Sequence, residues 1–247
     1  MLLLLGWAPF VFVLGVLGYA SLQDIRHRQV SNWVWVFGYP VGCAMTLAGL
    51  ATEMLSVEAV CLSLGFSVVL GLVLFFGGFY GGADIKALIF IGLTLPSVPL
   101  GFSPVLGVLW APLVLGVFCS SALLSMVWPL AIFILNLQDH FLGKPMFDGI
   151  KLTIPQRVLL LFTARKIPLE KIENLRYFPA ENVVLQKGKP TRARLHFVKA
   201  ETDLSKYIQN LKTNKELYQK GVLATPTIPT ICVLTLTLVI MLLAILL

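Results

Sequence analysis

Long apolar runs recur along almost the whole chain, and they limit what it can fold into. Segments 2–22, 30–52, 59–79, 85–100, 104–137 and 227–247 are predominantly apolar. All but the short 85–100 run reach the roughly 17–25 residues a helix needs to cross a bilayer. In hydrocarbon no water is at hand to satisfy backbone N–H and C=O groups, so such runs cross as helices that close their hydrogen bonds internally. Composition agrees: 57% of the residues are hydrophobic and only 13% charged, with a mean hydropathy of +0.87. Soluble domains carry about 25% charged residues. The expected fold is an all-α polytopic membrane protein of six transmembrane helices, with a small cytoplasmic α+β subdomain between helices five and six.

Two features of the first runs refine this. Trp33 and Trp35 open the second run, where amphipathic aromatics favour the membrane interface. The first run could be mistaken for a secretory signal, and Gly18-Tyr19-Ala20 passes as a cleavage site. It lacks a basic flank, however, and is long enough to span, so it reads as a retained first helix. The fifth run, 104–137, is long enough to be tilted or kinked at Pro129. Cys43, Cys61, Cys119 and Cys232 all lie in apolar stretches without C-x-x-C spacing. They suggest neither a zinc site nor a disulfide framework, and read as small apolar residues.

Segment 138–223 is different in kind, holding 16 of the 19 basic residues and 8 of the 12 acidic ones. The remaining basic residues are Arg26, Arg28 and Lys86. The positive-inside tendency therefore puts the 26–28 loop, the Lys86 loop and the polar segment in the cytoplasm. The loop holding Glu53 and Glu58 carries no basic residue and belongs outside. With six spans those three basic connections share one side and both termini lie outside, at the plasma membrane. The expected division is 1–137 as the membrane domain with helices one to five, 138–223 as a basic cytoplasmic subdomain, and 224–247 as the sixth helix. Within the subdomain, 182–198 reads as two strands around a Lys-Gly-Lys-Pro turn, and 204–219 reads as helical. The positive charge indicates membrane lipid as a partner rather than nucleic acid.

Against this background "FYGGADIKALIF" (79–90) raises a question, because a carboxylate is costly in hydrocarbon. Asp24, Glu53, Glu58 and Asp84 are the acidic residues outside the polar segment. Asp24 follows the first run and Asp84 precedes the fourth, so both fall at the cytoplasmic boundary and could meet in a folded bundle. One reading makes them ordinary helix-end residues: Asp84 would complement the dipole of the fourth helix and Asp24 would be a solvated loop residue. The other makes them a functional pair. Gly81 and Gly82, with Gly77 and Gly78 one turn earlier, tip the balance. Such a cluster ends the third helix and lets backbone approach backbone or a substrate strand.

"GGADIK" (81–86) resembles the motif of the type IV prepilin and archaeal preflagellin peptidases, membrane aspartyl proteases of the GxGD class. "QDIRHRQVSN" (23–32) is similar to the family's D-x-x-x-x-x-[IV]-x-N segment, and "VLATPTIPTI" (222–231) to the T-P-x-x-P segment that opens the last helix. The resemblance follows the whole chain in order. It departs at Ala83, where the strict pattern has Gly, and at Ser31, where Pro is frequent. Bacterial relatives carry an N-terminal cytoplasmic domain with four metal-binding cysteines and a methyltransferase activity. That domain has no counterpart in this sequence, which points to the peptidase-only archaeal type. A presenilin-like intramembrane protease would show Tyr-Asp where Gln23 precedes Asp24, and Pro-Ala-Leu in the last helix.

The resemblance implies an aspartic endopeptidase that removes the short basic leader from pilin-like or flagellin precursors at the cytoplasmic membrane face. Asp24 and Asp84 would be its catalytic pair, with Gly81, Gly82, Ala83 and Lys86 as supporting or substrate-binding residues. Two close carboxylates share a proton. The ionised one would activate water while the protonated one polarises the scissile carbonyl, with no metal or cofactor required. Lys86 reads more simply as a cation reaching the interface. Arg26, His27 and Arg28 read as facing lipid headgroups, and Asn32 as the cap of the second helix. His140 and His196 have no evident ligand set. The rival functions are a proton-coupled transporter using paired carboxylates, and a non-catalytic scaffold that binds anionic lipid.

Overall fold

The computed structural model describes residues 2–77, 80–97, 112–144, 146–147, 150, 152–173, 177–186, 189–194, 205–218 and 221–246. The described residues are mostly helical, with a small sheet region, and they group into two compact units. Residues 1–124 and 229–247 form the first, and residues 125–228 the second.

The first unit contains α1 (Leu2–His27), α2 (Asn32–Ala51), α3 (Val57–Phe76), α4 (Gly82–Thr94), α5 (Leu113–Ser125) and α9 (Thr230–Leu246). Four stretches are long and apolar enough to cross a membrane: Gly6–His27, Asn32–Ala51, Val57–Phe76 and Leu113–Phe141. Of the other two expected spans, α9 is shorter, and α4 with 13 residues rises only about 20 Å against a hydrocarbon core of about 30 Å. Chain chemistry sets its limit. Leu95 leaves the helical conformation (φ −124°, ψ 66°) because it precedes Pro96, whose ring disfavours that conformation there. The expected helix over 85–100 therefore stops at Thr94, and residues 98–100 lie outside the described ones.

Although short, α4 is the hub of this unit. Ala87, Leu88, Phe90, Ile91, Gly92 and Thr94 are all buried, and it packs against α1, α2, α3 and α9. The Phe90 ring meets Phe12, Trp35 and Tyr39 edge-on, with centroids 5.8–6.2 Å apart. Lipid tails are as apolar as the helices, so close packing and interhelical hydrogen bonds must hold the bundle together. Small residues let α3 and α4 approach: a Cβ on Gly92 would collide with the Ser67 side chain, and one on Gly71 would lie 2.8 Å from Ile85. The hydroxyl of Thr46 donates to the Leu93 carbonyl at 2.7 Å, and that of Tyr39 to the Lys86 carbonyl at 2.8 Å. Between α1 and α9, the hydroxyls of Ser21 and Thr235 lie 2.8 Å apart. Val11, Val69, Phe76 and Leu123 are among the exposed side chains, an apolar exterior suited to lipid.

Several expected boundaries move. The first helix runs on to His27, so Asp24 lies inside its last turn rather than in a loop after it. The cap of α2 is Ser31, whose hydroxyl accepts from the Trp33 N–H at 3.4 Å; Asn32 is the first helical residue and does not cap it. Gly77 caps the end of α3, as the glycine cluster led one to expect, while Gly78 lies outside the described residues. The fifth run breaks at Met126, three residues before Pro129. Proline has no N–H to offer the Ser125 carbonyl one turn back, and its ring crowds that carbonyl. Residues 104–111 of that run lie outside the described ones.

The second unit holds α6 (Val127–Phe141), α7 (Ile154–Thr163), α8 (Ser205–Thr213) and five strands. The strands are β1 (Arg165–Ile167), β2 (Tyr177–Pro179), β3 (Glu181–Gln186), β4 (Lys189–Arg194) and β5 (Val222–Pro226). β5 lies between β1 and β2, antiparallel to both, and β3 pairs with β4 as a hairpin with Gln186 opposite Lys189. The strand pair expected over 182–198 is thus present, although residues 195–198 and the turn at 187–188 lie outside the described ones. The helix expected over 204–219 is α8 followed by a 3-10 turn at Lys215–Tyr218. Ile167, Ile172, Leu211, Tyr218, Val222 and Ala224 form its core. Between α6 and α7, Phe133 stacks on Phe162 at 4.5 Å. Asn136 donates to the Leu161 and Ala164 carbonyls at 2.8 Å each, meeting acceptors that the end of α7 leaves open.

Candidate active site

Three helix ends of the first unit make the site. Asp84 is the third residue of α4, and its Oδ2 accepts the Gly81 N–H at 3.1 Å. This is the reach-back bond of an N-terminal capping arrangement. A Cβ on Gly81 would meet Asp84 Oδ2 at 3.5 Å, an ordinary contact, so packing alone does not demand glycine at the cap. Gly82 and Ala83 are the first two residues of the helix, and Ala83 packs against the apolar core.

Asp24 is presented by the last turn of α1, which ends where the Arg28 N–H donates to the Asp24 carbonyl at 2.9 Å. Arg28 then takes a left-handed conformation, with φ at 54°. The Gln23 side-chain oxygen closes the connection to α2 by accepting the Ser31 N–H at 2.9 Å.

The start of α9 brings these elements together. The Asp24 carboxyl accepts the backbone N–H of Ile231, and the Asp84 carboxyl accepts the hydroxyl of Thr230. The two carboxyl groups are close enough to interact electrostatically. Thr230 and Ile231 are the first two residues of α9, so Ile231 carries one of the helix's unpaired amides and the positive end of its dipole. A helix N-terminus with two carboxylates drawn to it can hold anionic groups together at a cost that a purely apolar site would not allow. Tyr80 borders the same place. It interacts electrostatically with Asp84, hydrogen-bonds with Ser121 and lies against Phe118 with ring centroids 6.3 Å apart.

Asp24, Asp84 and Gly81 therefore converge, while Lys86 turns elsewhere: its Nζ donates to Asn32 Oδ1 at 2.8 Å. Arg26 and His27 are exposed, but Arg28 does not face outward as a headgroup contact would. Its Nε and Nη1 are buried with no hydrogen-bond partner among the described residues, and so is Asp24 Oδ2. Among the described residues no group of three or more His, Cys, Asp or Glu is placed to hold a metal ion. Sequence reasoning did not single out Thr230, Ile231, Gln23 or Tyr80. For the first two a signal existed, since the Thr-Pro-Thr-Ile-Pro run immediately precedes Thr230.

That run belongs to the connection ahead of the last helix, with Thr225 and Pro226 completing β5, rather than to the opening of the helix itself. The chain is 26% identical over 184 residues to the preflagellin peptidase of Methanococcus voltae, covering 69% of this chain and 78% of the relative. The sequence profile of the type IV leader peptidase family matches residues 11–137, just over half of the chain and the part that holds both aspartates. The chain is a membrane protein and belongs to the type IV leader peptidase family.

Proposed function

We propose that this protein is an aspartic endopeptidase that removes the leader from flagellin or type IV pilin-like precursors, with Asp24 and Asp84 as its catalytic pair. The observation that carries this reading is the convergence of the two carboxyl groups on Thr230 and Ile231 at the start of α9. With one of the pair ionised and the other protonated, the first takes a proton from a water molecule as that water attacks the scissile carbonyl. The second donates to the carbonyl oxygen, and the resulting tetrahedral species collapses with proton transfer to the leaving amine. Main-chain positioning within about 3–3.5 Å of the attacking oxygen would supply much of the rate. The preflagellin peptidase relative supports the substrate class.

The site faces the cytoplasm in this reading, with α4 and α9 joining the four longer helices to give six membrane-embedded segments. The basic residues Arg26, Arg28 and Lys86 support that orientation, since the short connections carrying them belong inside. Segment 138–223 then forms the cytoplasmic subdomain between the fifth and sixth spans, and both termini lie outside.

The test is cleavage of a leader-bearing preflagellin by the purified chain in lipid vesicles, read by mass spectrometry of both products. Scission at the leader junction is expected. An intact precursor, together with proton movement across the vesicle wall, would replace this reading with that of a carboxylate-based transporter.

A further inference from the structure

We propose that Arg28 is a substrate-binding residue of this site, its guanidinium holding a main-chain carbonyl of the precursor beside the bond that is cut. The inference rests on the peptidase reading above and adds to it a contact that neither the family resemblance nor the aspartate pair requires.

Two costs at Arg28 call for an explanation. Its Nε and Nη1 are each buried and unpartnered among the described residues. The great majority of buried donors in folded proteins are satisfied, and each exception calls for an explanation, a catalytic role or a bound partner among them. The backbone is also held at φ 54°, at the position after a helix end where glycine is the usual occupant and a side chain is a burden. A glycine would relieve the second cost and remove the first altogether. What the arginine contributes is therefore its side chain.

Pairing with Asp24 does not account for that side chain. The two interact electrostatically across the end of α1. Yet Arg28 and Asp24 form no close ion pair, and Asp24 Oδ2 is buried without a hydrogen-bond partner among the described residues. Two donors and an acceptor that feel each other electrostatically are thus left without hydrogen bonds among the described residues. A water activated at Asp24 and a peptide carbonyl at Arg28 would satisfy both.

The spacing suits a peptide. The Arg28 N–H closes the last turn of α1 onto the Asp24 carbonyl, which sets the two backbones about 6 Å apart, and an extended strand rises about 3.3 Å per residue. A precursor with its scissile bond at Asp24 then brings to Arg28 a carbonyl within about two residues of that bond. Every residue has such a carbonyl, so this contact contributes affinity without demanding a side chain. A charged donor to a neutral acceptor is worth about 10- to 100-fold in binding.

The test compares wild type, Arg28→Gln and Arg28→Lys, full length in lipid vesicles, for kcat and KM on a preflagellin precursor. Both variants keep a side chain at the left-handed position, so the backbone cost is unchanged. Arg28→Gln is expected to raise KM by about 10- to 100-fold with kcat within about threefold, and Arg28→Lys to recover part of the loss. In an Asp84→Asn background, which removes turnover, Arg28→Gln should weaken precursor binding by the same factor. An unchanged KM, or a loss confined to kcat, would overturn the inference while leaving the peptidase reading intact. So would a loss that vanishes on a precursor in which any acidic side chain flanking the cut bond has been made neutral, since the partner would then be a carboxylate. A wild type that does not cleave overturns the peptidase reading, and this inference with it.

Discussion

The hydroxyl of Thr230 bonds the carboxyl of Asp84, and the next residue in the chain serves Asp24 with its backbone amide. One turn of the last helix thus holds both halves of a site whose aspartates lie sixty residues apart. Asp24 rides on the end of α1 and Asp84 on the start of α4, and each helix could shift independently. The common anchor at α9 turns two helix ends into one constellation, which is the kind of preorganisation a reaction centre needs.

Removing the side-chain half of that anchor should therefore impair chemistry more than binding. Thr230→Val keeps the shape of the residue and deletes its hydroxyl. It is expected to lower kcat on a precursor by about tenfold, the scale of one hydrogen bond to a charged group, with KM within about threefold. Thr230→Ser should retain most of the activity. Steady-state kinetics of the three proteins in lipid vesicles check this, and equal losses in Ser and Val variants would assign the effect to packing.

Close approach of α3 and α4 makes a stability prediction. Gly92→Ala places a methyl group against Ser67 and 3.0 Å from the Ser63 carbonyl, at a contact with little room to yield. Overpacking of this kind costs about 1–3 kcal/mol. The melting midpoint in detergent should fall, and Ser67→Gly in the same chain should recover more than half of the loss. A midpoint unchanged by Gly92→Ala would mean that the two helices are not closely apposed there.

Lys86 stands two residues from Asp84, close enough in sequence to suggest a role in the chemistry. Its ammonium nevertheless donates to Asn32, and that bond is exposed. Exposed polar contacts contribute about 0–1 kcal/mol. Lys86→Met and Asn32→Ala should each leave kcat/KM within about threefold of wild type, and the double variant should be no worse than the worse single one. A drop of a hundredfold in Lys86→Met alone would return Lys86 to the site.

How far the fold could be read from residues depended on whether side chains or backbone made the feature. α1, α2 and α3 were legible because membrane helices need unbroken apolar runs, and those runs are in the sequence. The end of α4 and the break at Met126 depend on Pro96 and Pro129, whose local effects act at the residue before the ring or one turn back. Asp24 and Asp84 stood out as carboxylates in an apolar setting. Their shared anchor stood out less: the Thr-Pro-Thr-Ile-Pro run marks its neighbourhood, but the Ile231 amide is backbone and has no signature in residue type. Residue type groups Arg28 with Arg26 and His27 as a headgroup contact, because a cation near a helix end ordinarily faces outward, whereas its Nε and Nη1 are buried. Only the path of the chain after His27 turns it in.

The most direct measurement is the rate of leader removal by Asp24→Asn and by Asp84→Asn in lipid vesicles. Asparagine preserves the size of the side chain and can still accept one hydrogen bond at α9, so circular dichroism and melting should match wild type. It cannot take up or give the proton that the proposed reaction moves. Each substitution is expected to reduce cleavage of a preflagellin precursor by roughly 10²–10⁴-fold, the scale of general acid–base catalysis. Cleavage near the wild-type rate by either folded variant would contradict the assignment of the pair.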